Sequence, residues 1–171
     1  MELKELTEKT LAIFDANTPD ELREKIYKAV LENDEQLYKK FIEMVDGDLS
    51  VDHLQMIYQY YQADRKSLGQ DYTPKCLAQF ASMLVGDVDR MLDLCSGSGA
   101  LTIQNWQIES DTQHLYTCIE RDENVIPYLL FNLVIRNIDS IVQHGDVLSD
   151  KKFHEYRVLK GEHFGRVEVL A

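Results

Sequence analysis

The sequence predicts an α/β fold, a parallel sheet with flanking helices, preceded by an N-terminal helical region. Three observations predict it. Residues 1–66 hold a single glycine, Gly47, and space their apolar residues at three and four positions, the period of a helix with one buried face. From Val88 onward, short apolar runs alternate with helical stripes, the pattern of repeated strand–helix units. Three of those runs end in an acid, Asp93, Glu120 and Asp146, with 27 positions between the first two and 26 between the last two. That spacing is close to one strand–helix–strand period of about 30 residues.

The first helix places Leu3, Leu6, Thr10, Leu11 and Phe14 on one face. Thr18-Pro19-Asp20-Glu21 then supplies an N-cap, a proline in the first turn and a capping-box acid, so a second helix runs from about Pro19 to Leu31. Gln36 to Val45 reads as a third, stopped at Asp46-Gly47-Asp48, and Ser50 opens a fourth through Leu54, Ile57, Tyr58 and Tyr61. The cluster Tyr58, Tyr60 and Tyr61 could stack on bases, but at helical spacing Tyr58 and Tyr61 fit the core better, and Arg65 and Lys66 read either as contacts to a phosphate or cofactor carboxylate or as a solvated basic end at the negative pole of the helix dipole. Thr73-Pro74 starts another helix, whose Leu77, Phe80, Ala81 and Leu84 are expected to pack on the sheet.

Val88 to Leu94 reads as a buried strand and Ala100-Leu101-Thr102-Ile103 as the first turn of a helix. Between them lies Cys95-Ser96-Gly97-Ser98-Gly99. Two glycines without Cβ atoms let the backbone lie close against a ligand at the mouth of a sheet, as nucleotide-type cofactor loops require. His114 to Ile119 is the second strand, closed by Glu120, where an acid accepts hydrogen bonds from ribose hydroxyls. Val125, Ile126, Leu129, Leu130, Leu133 and Val134 form a core stripe with Pro127 delaying or bending its helix, while Asn132 and Asn137 read as capping or surface residues. Ile141-Val142 leads to Asp146. The polar stretch 149–164 reads as a connection or short helix, and Gly165 to Ala171 as a last strand.

Asp93-Leu-Cys-Ser-Gly97-Ser-Gly99, Ile119-Glu120-Arg-Asp122 and Gly145-Asp146-Val-Leu148 together resemble S-adenosylmethionine-dependent methyltransferases. Gln70-Asp71-Tyr72-Thr73-Pro74-Lys75, about twenty residues ahead of the glycine loop, resembles the aromatic-Thr-Pro segment of N-6 adenine DNA methylases, notably the modification subunits of type I restriction systems. The resemblance covers roughly residues 55–150. It implies a Rossmann-like methyltransferase fold, with 1–66 as a helical region and 67–171 as the S-adenosyl-L-methionine-binding domain. It further implies that Tyr72, Thr73 and Pro74 contact the methionine end of the cofactor and that Asp93, Cys95, Gly97, Ser98 and Gly99 surround its amino-acid moiety. Glu120 would take the ribose hydroxyls, and Asp146 the adenine amino group with Val147 and Leu148 beside the ring. The assignment is chemically coherent, because the cofactor offers an ammonium, two hydroxyls and an amine, all donors for carboxylates. A dinucleotide loop fits less well, since Thr102 stands where Gly-x-Gly-x-x-Gly needs its third glycine.

The resembling enzymes also carry an Asn, Asp or Ser followed by two prolines and an aromatic, which grips the flipped base. These residues hold only Pro19, Pro74 and Pro127 and no Pro-Pro. Two readings stay open: a chain cut before that motif, or a cofactor-binding or regulatory module without it. The charge points the same way. Eighteen basic against 30 acidic residues give −12, which disfavours tight independent binding to phosphates, so a DNA-modifying role calls for a partner polypeptide supplying recognition or catalysis. Cys76, Cys95 and Cys118 form no paired spacing and the histidines share no ligand pattern, so neither a disulfide framework nor a metal site is expected. No stretch reaches the ~20 apolar residues of a membrane span, and the expected location is cytoplasmic.

Overall fold

A computed structural model describes residues 1–63, 66, 70, 72–108 and 114–170. Its elements run α1 (Leu3–Ile13), α2 (Pro19–Glu32), α3 (Glu35–Met44), α4 (His53–Tyr61), α5 (Lys75–Val85), β1 (Arg90–Leu94), α6 (Ala100–Trp106), β2 (Leu115–Glu120), α7 (Ile126–Ile135), β3 (Ser140–Asp146), β4 (Lys151–Leu159) and β5 (Arg166–Val169). Arg65 and Asp71 lie outside the described residues.

The helix starts follow the sequence chemistry. Thr18 Oγ1 accepts from Glu21 N–H (3.2 Å), and Glu21 reaches back to Asn17 N–H (2.9 Å), which fixes the entry to α2. Asp34 caps α3 and Asp52, rather than Ser50, caps α4. Pro74 occupies the cap of α5, one place later than the Thr73 cap read from the sequence. In α7 the proline sits in the first turn, so the helix starts late and runs unbent.

One sheet has the order β1-β2-β3-β4-β5. β1, β2 and β3 are parallel, whereas β4 and β5 are antiparallel additions, so the sheet is mixed and not wholly parallel. Within 149–164, where a connection or short helix was expected, Lys151–Leu159 form the strand β4. Their polar residues misled because Tyr156 and Val158 face the core while Glu155 and Arg157 face solvent, the alternation of a half-buried strand.

Both parallel crossovers step in the same direction, β1 to β2 and β2 to β3, and right-handed connections then bring α6 and α7 to one face. Tyr116, Cys118 and Val142 on that face are buried. Helix α7 is apolar on every side and wholly buried between the sheet and α2. Its Phe131 takes Phe14, Tyr38 and Phe41 edge-on at 5.5, 5.7 and 5.1 Å, so the four N-terminal helices and the sheet share one core.

Three packing expectations are corrected. β1 is a sheet edge, with Asp93 buried but Leu92 and Leu94 exposed, and is no fully buried strand. Helix α5 packs on α6 through its small residues Ala78 and Ser82, leaving Leu77, Phe80 and Leu84 at 54%, 58% and 73% exposure instead of on the sheet. Tyr61 is likewise surface-exposed while Tyr58 is buried.

Candidate functional site

At the carboxyl edge of the three parallel strands, the loop after β1 makes two left-handed turns before α6. Cys95 has φ +61, Gly97 +55 and Gly99 +99, and only glycine adopts the last two without steric cost. Ser96 N–H donates to Ile119 O (2.9 Å) and Gly99 N–H to Ser96 O (2.9 Å), which hold the loop across the end of β2. Its amides are thereby turned toward the acid that ends that strand. Gly97 N–H donates to Glu120 Oε2 (2.8 Å) and Asp122 N–H to Glu120 Oε1 (2.7 Å).

Those bonds fix the Glu120 carboxylate and use one acceptor position on each oxygen. A carboxylate has about four such positions. Two remain, one on each oxygen, for a pair of donors arriving together.

A cleft of about 560 Å³ opens above this acid, within the range of small-molecule sites. Its walls bring together four distant stretches of chain: Tyr72 and Thr73 before α5, Cys95, Gly97 and Ser98 of the loop, Glu120 and Asp122 after β2, and Asp146, Val147 and Leu148 after β3. The Tyr72 ring lies across Gly97, where an added Cβ would sit 3.6 Å from Tyr72 Cε1. Leu148 is almost fully exposed at the rim. Asp146 accepts from Leu148 N–H (3.0 Å), and its hydrogen bond with Ser149 holds its carboxyl below the usual range.

Three sequence-picked residues stand behind this lining. Pro74 caps α5 from the surface. Gly99 caps α6, where a Cβ would meet Leu129 Cδ1 at 3.1 Å. Asp93 is buried beneath the loop and accepts from Thr102 Oγ1 (2.8 Å). Burial pushes its carboxyl up, partly offset by Thr102, and the same burial lifts the Cys118 thiol to about 12.

Two residues that the sequence did not single out support the loop. Asn132 was read as capping or surface, yet it is buried in α7 and donates to Ser98 O and to Asp52 Oδ1, both at 2.9 Å. Arg136, one turn on, donates to Asn132 Oδ1 (2.9 Å) and to the carbonyls of Leu49 (2.9 Å) and Val51 (2.8 Å). Burial lowers its pKa to about 10, opposed by Asp52, so it stays charged at neutral pH. Asp122 appeared in the sequence pattern without a role, and here it lines the cleft. Asn137 behaves as read, closing α7 in a left-handed conformation and exchanging hydrogen bonds with Gly161.

The donor set suits a nucleoside carrying an amino acid. Glu120 offers two acceptor positions to a vicinal diol. Among the described residues Ser98 Oγ is buried without a hydrogen-bond partner, which suits the polar end of an amino acid. Gly97, without a Cβ, lets the Tyr72 ring lie close over the loop at the cleft wall.

A family model described as N-6 DNA methylase matches residues 47–165. The match spans the Asp52 cap, the glycine loop, all three strand-end acids and the antiparallel strand β4. No curated protein and no solved structure matches the chain significantly.

Proposed function

The chain belongs to the N-6 DNA methylase family, and from that premise we propose that its cleft binds S-adenosyl-L-methionine for a methylation reaction on DNA adenine, in a restriction-modification setting. The observation that carries this reading is the Glu120 carboxylate, held by Gly97 N–H and Asp122 N–H with an acceptor position left on each oxygen. Glu120 receives the two ribose hydroxyls. Asp146, Val147 and Leu148 border the adenine, with Asp146 accepting from its amino group. Tyr72 and Thr73 flank the methionine end with Pro74 behind them at the cap of α5, and Cys95, Gly97 and Ser98 enclose its amino-acid group on the turn that Gly99 closes from behind. Asp93 acts from beneath, tying Thr102 and hence the first turn of α6 under the loop.

The bound cofactor supplies an electrophilic methyl group on a sulfonium. What these residues do is orient it, because in-line displacement makes alignment the main demand. A net charge of −12 repels a phosphate backbone. On this reading another polypeptide supplies DNA contact. The same charge supports a second reading, a cofactor-binding regulatory module with no transfer activity of its own.

Titration calorimetry tests the cofactor site. The chain should bind S-adenosylmethionine, and Glu120→Ala should weaken binding at least tenfold, since hydrogen bonds to charged groups are worth roughly 1.5–3 kcal/mol each. Unchanged affinity in a folded Glu120→Ala variant would place the ligand elsewhere. Tritiated methyl incorporation into unmethylated duplex at low salt separates the two readings: incorporation that appears only with a DNA-binding subunit supports the enzyme, and none under either condition supports the module.

A further inference from the structure

We infer that Tyr58, on a helix of the N-terminal region, is a positioning residue for Glu120 and sets the preference of the cleft for ligands with free ribose hydroxyls. The inference rests on the assignment of Glu120 to the ribose. Tyr58 is fully buried and does not line the cleft. Its hydroxyl donates to Asp122 Oδ2, and the Gln70 side-chain amide donates to the same oxygen. The other oxygen of Asp122 accepts from the backbone N–H and side-chain amide of Asn124, at 3.0 and 2.9 Å. With both oxygens held, the Asp122 peptide is fixed, and its N–H is the group that donates to Glu120 Oε1 at 2.7 Å.

A relay therefore runs from α4 through the Asp122 side chain and peptide to one oxygen of the carboxylate. The second oxygen is set separately by Gly97. Losing the Tyr58 bond leaves Asp122 Oδ2 to the Gln70 amide alone, which loosens the Asp122 peptide and one of the two holds on Glu120, so that its two open acceptor positions match two adjacent hydroxyls less well. Burial pushes the Asp122 carboxyl up, but Tyr58, Asn124 and Gln70 together outweigh it and hold the group below its ordinary range, so it accepts as an anion at neutral pH. The Tyr58 ring also meets Tyr72 and Tyr128 edge-on at 5.9 and 5.4 Å. Phenylalanine preserves those contacts while deleting the hydroxyl.

The test measures Tyr58→Phe and the unchanged protein by calorimetry against two probes, S-adenosylhomocysteine and its 2′,3′-dideoxy analogue. The expected result is about tenfold weaker binding of S-adenosylhomocysteine by Tyr58→Phe, with the dideoxy analogue changed by less than about twofold. The effect should also vanish in a Glu120→Ala background, because Tyr58 acts on the ligand only through the Glu120 carboxylate. Equal weakening of both probes, or unchanged binding of both, overturns the inference. Failure of the unchanged protein to bind S-adenosylhomocysteine, or equal affinity for the two probes, instead refutes the ribose assignment and takes the inference with it. Should Tyr58→Phe fail to fold, Asp122→Asn interrupts the same relay and is held to the same two-probe outcome.

Discussion

At Gly99 a methyl group would meet Leu129 Cδ1 at 3.1 Å, on a backbone at φ +99, whereas at Gly97 it would point toward Tyr72 at 3.6 Å, on a backbone at +55. The first position faces the core and the second faces the cleft. Alanine in a left-handed conformation costs roughly 1–2 kcal/mol, and at Gly99 the crowding by Leu129 adds to it. Gly99→Ala should therefore lower the melting temperature by roughly 4–8 °C, at about 2–4 °C per kcal/mol for a chain of this size. Gly97→Ala pays the smaller backbone cost but narrows the space between loop and Tyr72, so it should weaken cofactor binding more than it lowers melting. Thermal shifts with and without S-adenosylmethionine separate the two. A Gly97→Ala variant with the full cofactor-induced shift would contradict the role given to this loop.

At the scale of elements, α7 joins the glycine loop to the segment before α4. Asn132 is the joint, bonded to Ser98 O and Asp52 Oδ1 while Arg136 bonds to it. Asn132→Ala leaves a carbonyl, a carboxylate and a guanidinium each short of a partner in a buried site, and should destabilise the protein by roughly 2–4 kcal/mol in urea unfolding. A loss under about 1 kcal/mol would mean that these groups find other partners. The burial of Asn132 had a signal in the sequence: Leu129, Leu130, Leu133 and Val134 surround it, so its helix has no polar face. The strand-end acids were legible for a related reason, since a turn chemistry repeated at one strand–helix period survives any detail of packing. Tyr58 and Asp122 are 64 positions apart, and only the tertiary fold joins them. Helix α5 was misread because its apolar stripe has the right period, while period alone does not say what covers the stripe.

For the whole molecule, that misreading has a physical consequence. With α6 and α7 on one face of the sheet, the other face carries Leu92 and Leu94 on β1 in register with Thr117 and Ile119 on β2. Among the described residues β1 has a strand on one side only. Helix α5, packed on α6, presents Leu77, Phe80, Met83, Leu84 and Val85, all more than half exposed. Parallel strands are ordinarily covered on both faces, and contiguous exposed apolar surface of this kind lowers solubility. Because these α5 side chains already face solvent, replacing them should not disturb the core. The double substitution Phe80→Lys with Leu84→Lys should change stability by no more than about 1 kcal/mol, the sum of two ordinary surface changes, which urea unfolding would measure. It should also reduce fluorescence of an anilinonaphthalene dye and raise the solubility limit. A fall of several kcal/mol would instead show that the stripe is covered in solution, and that α5 contributes its large apolar side chains to a core after all.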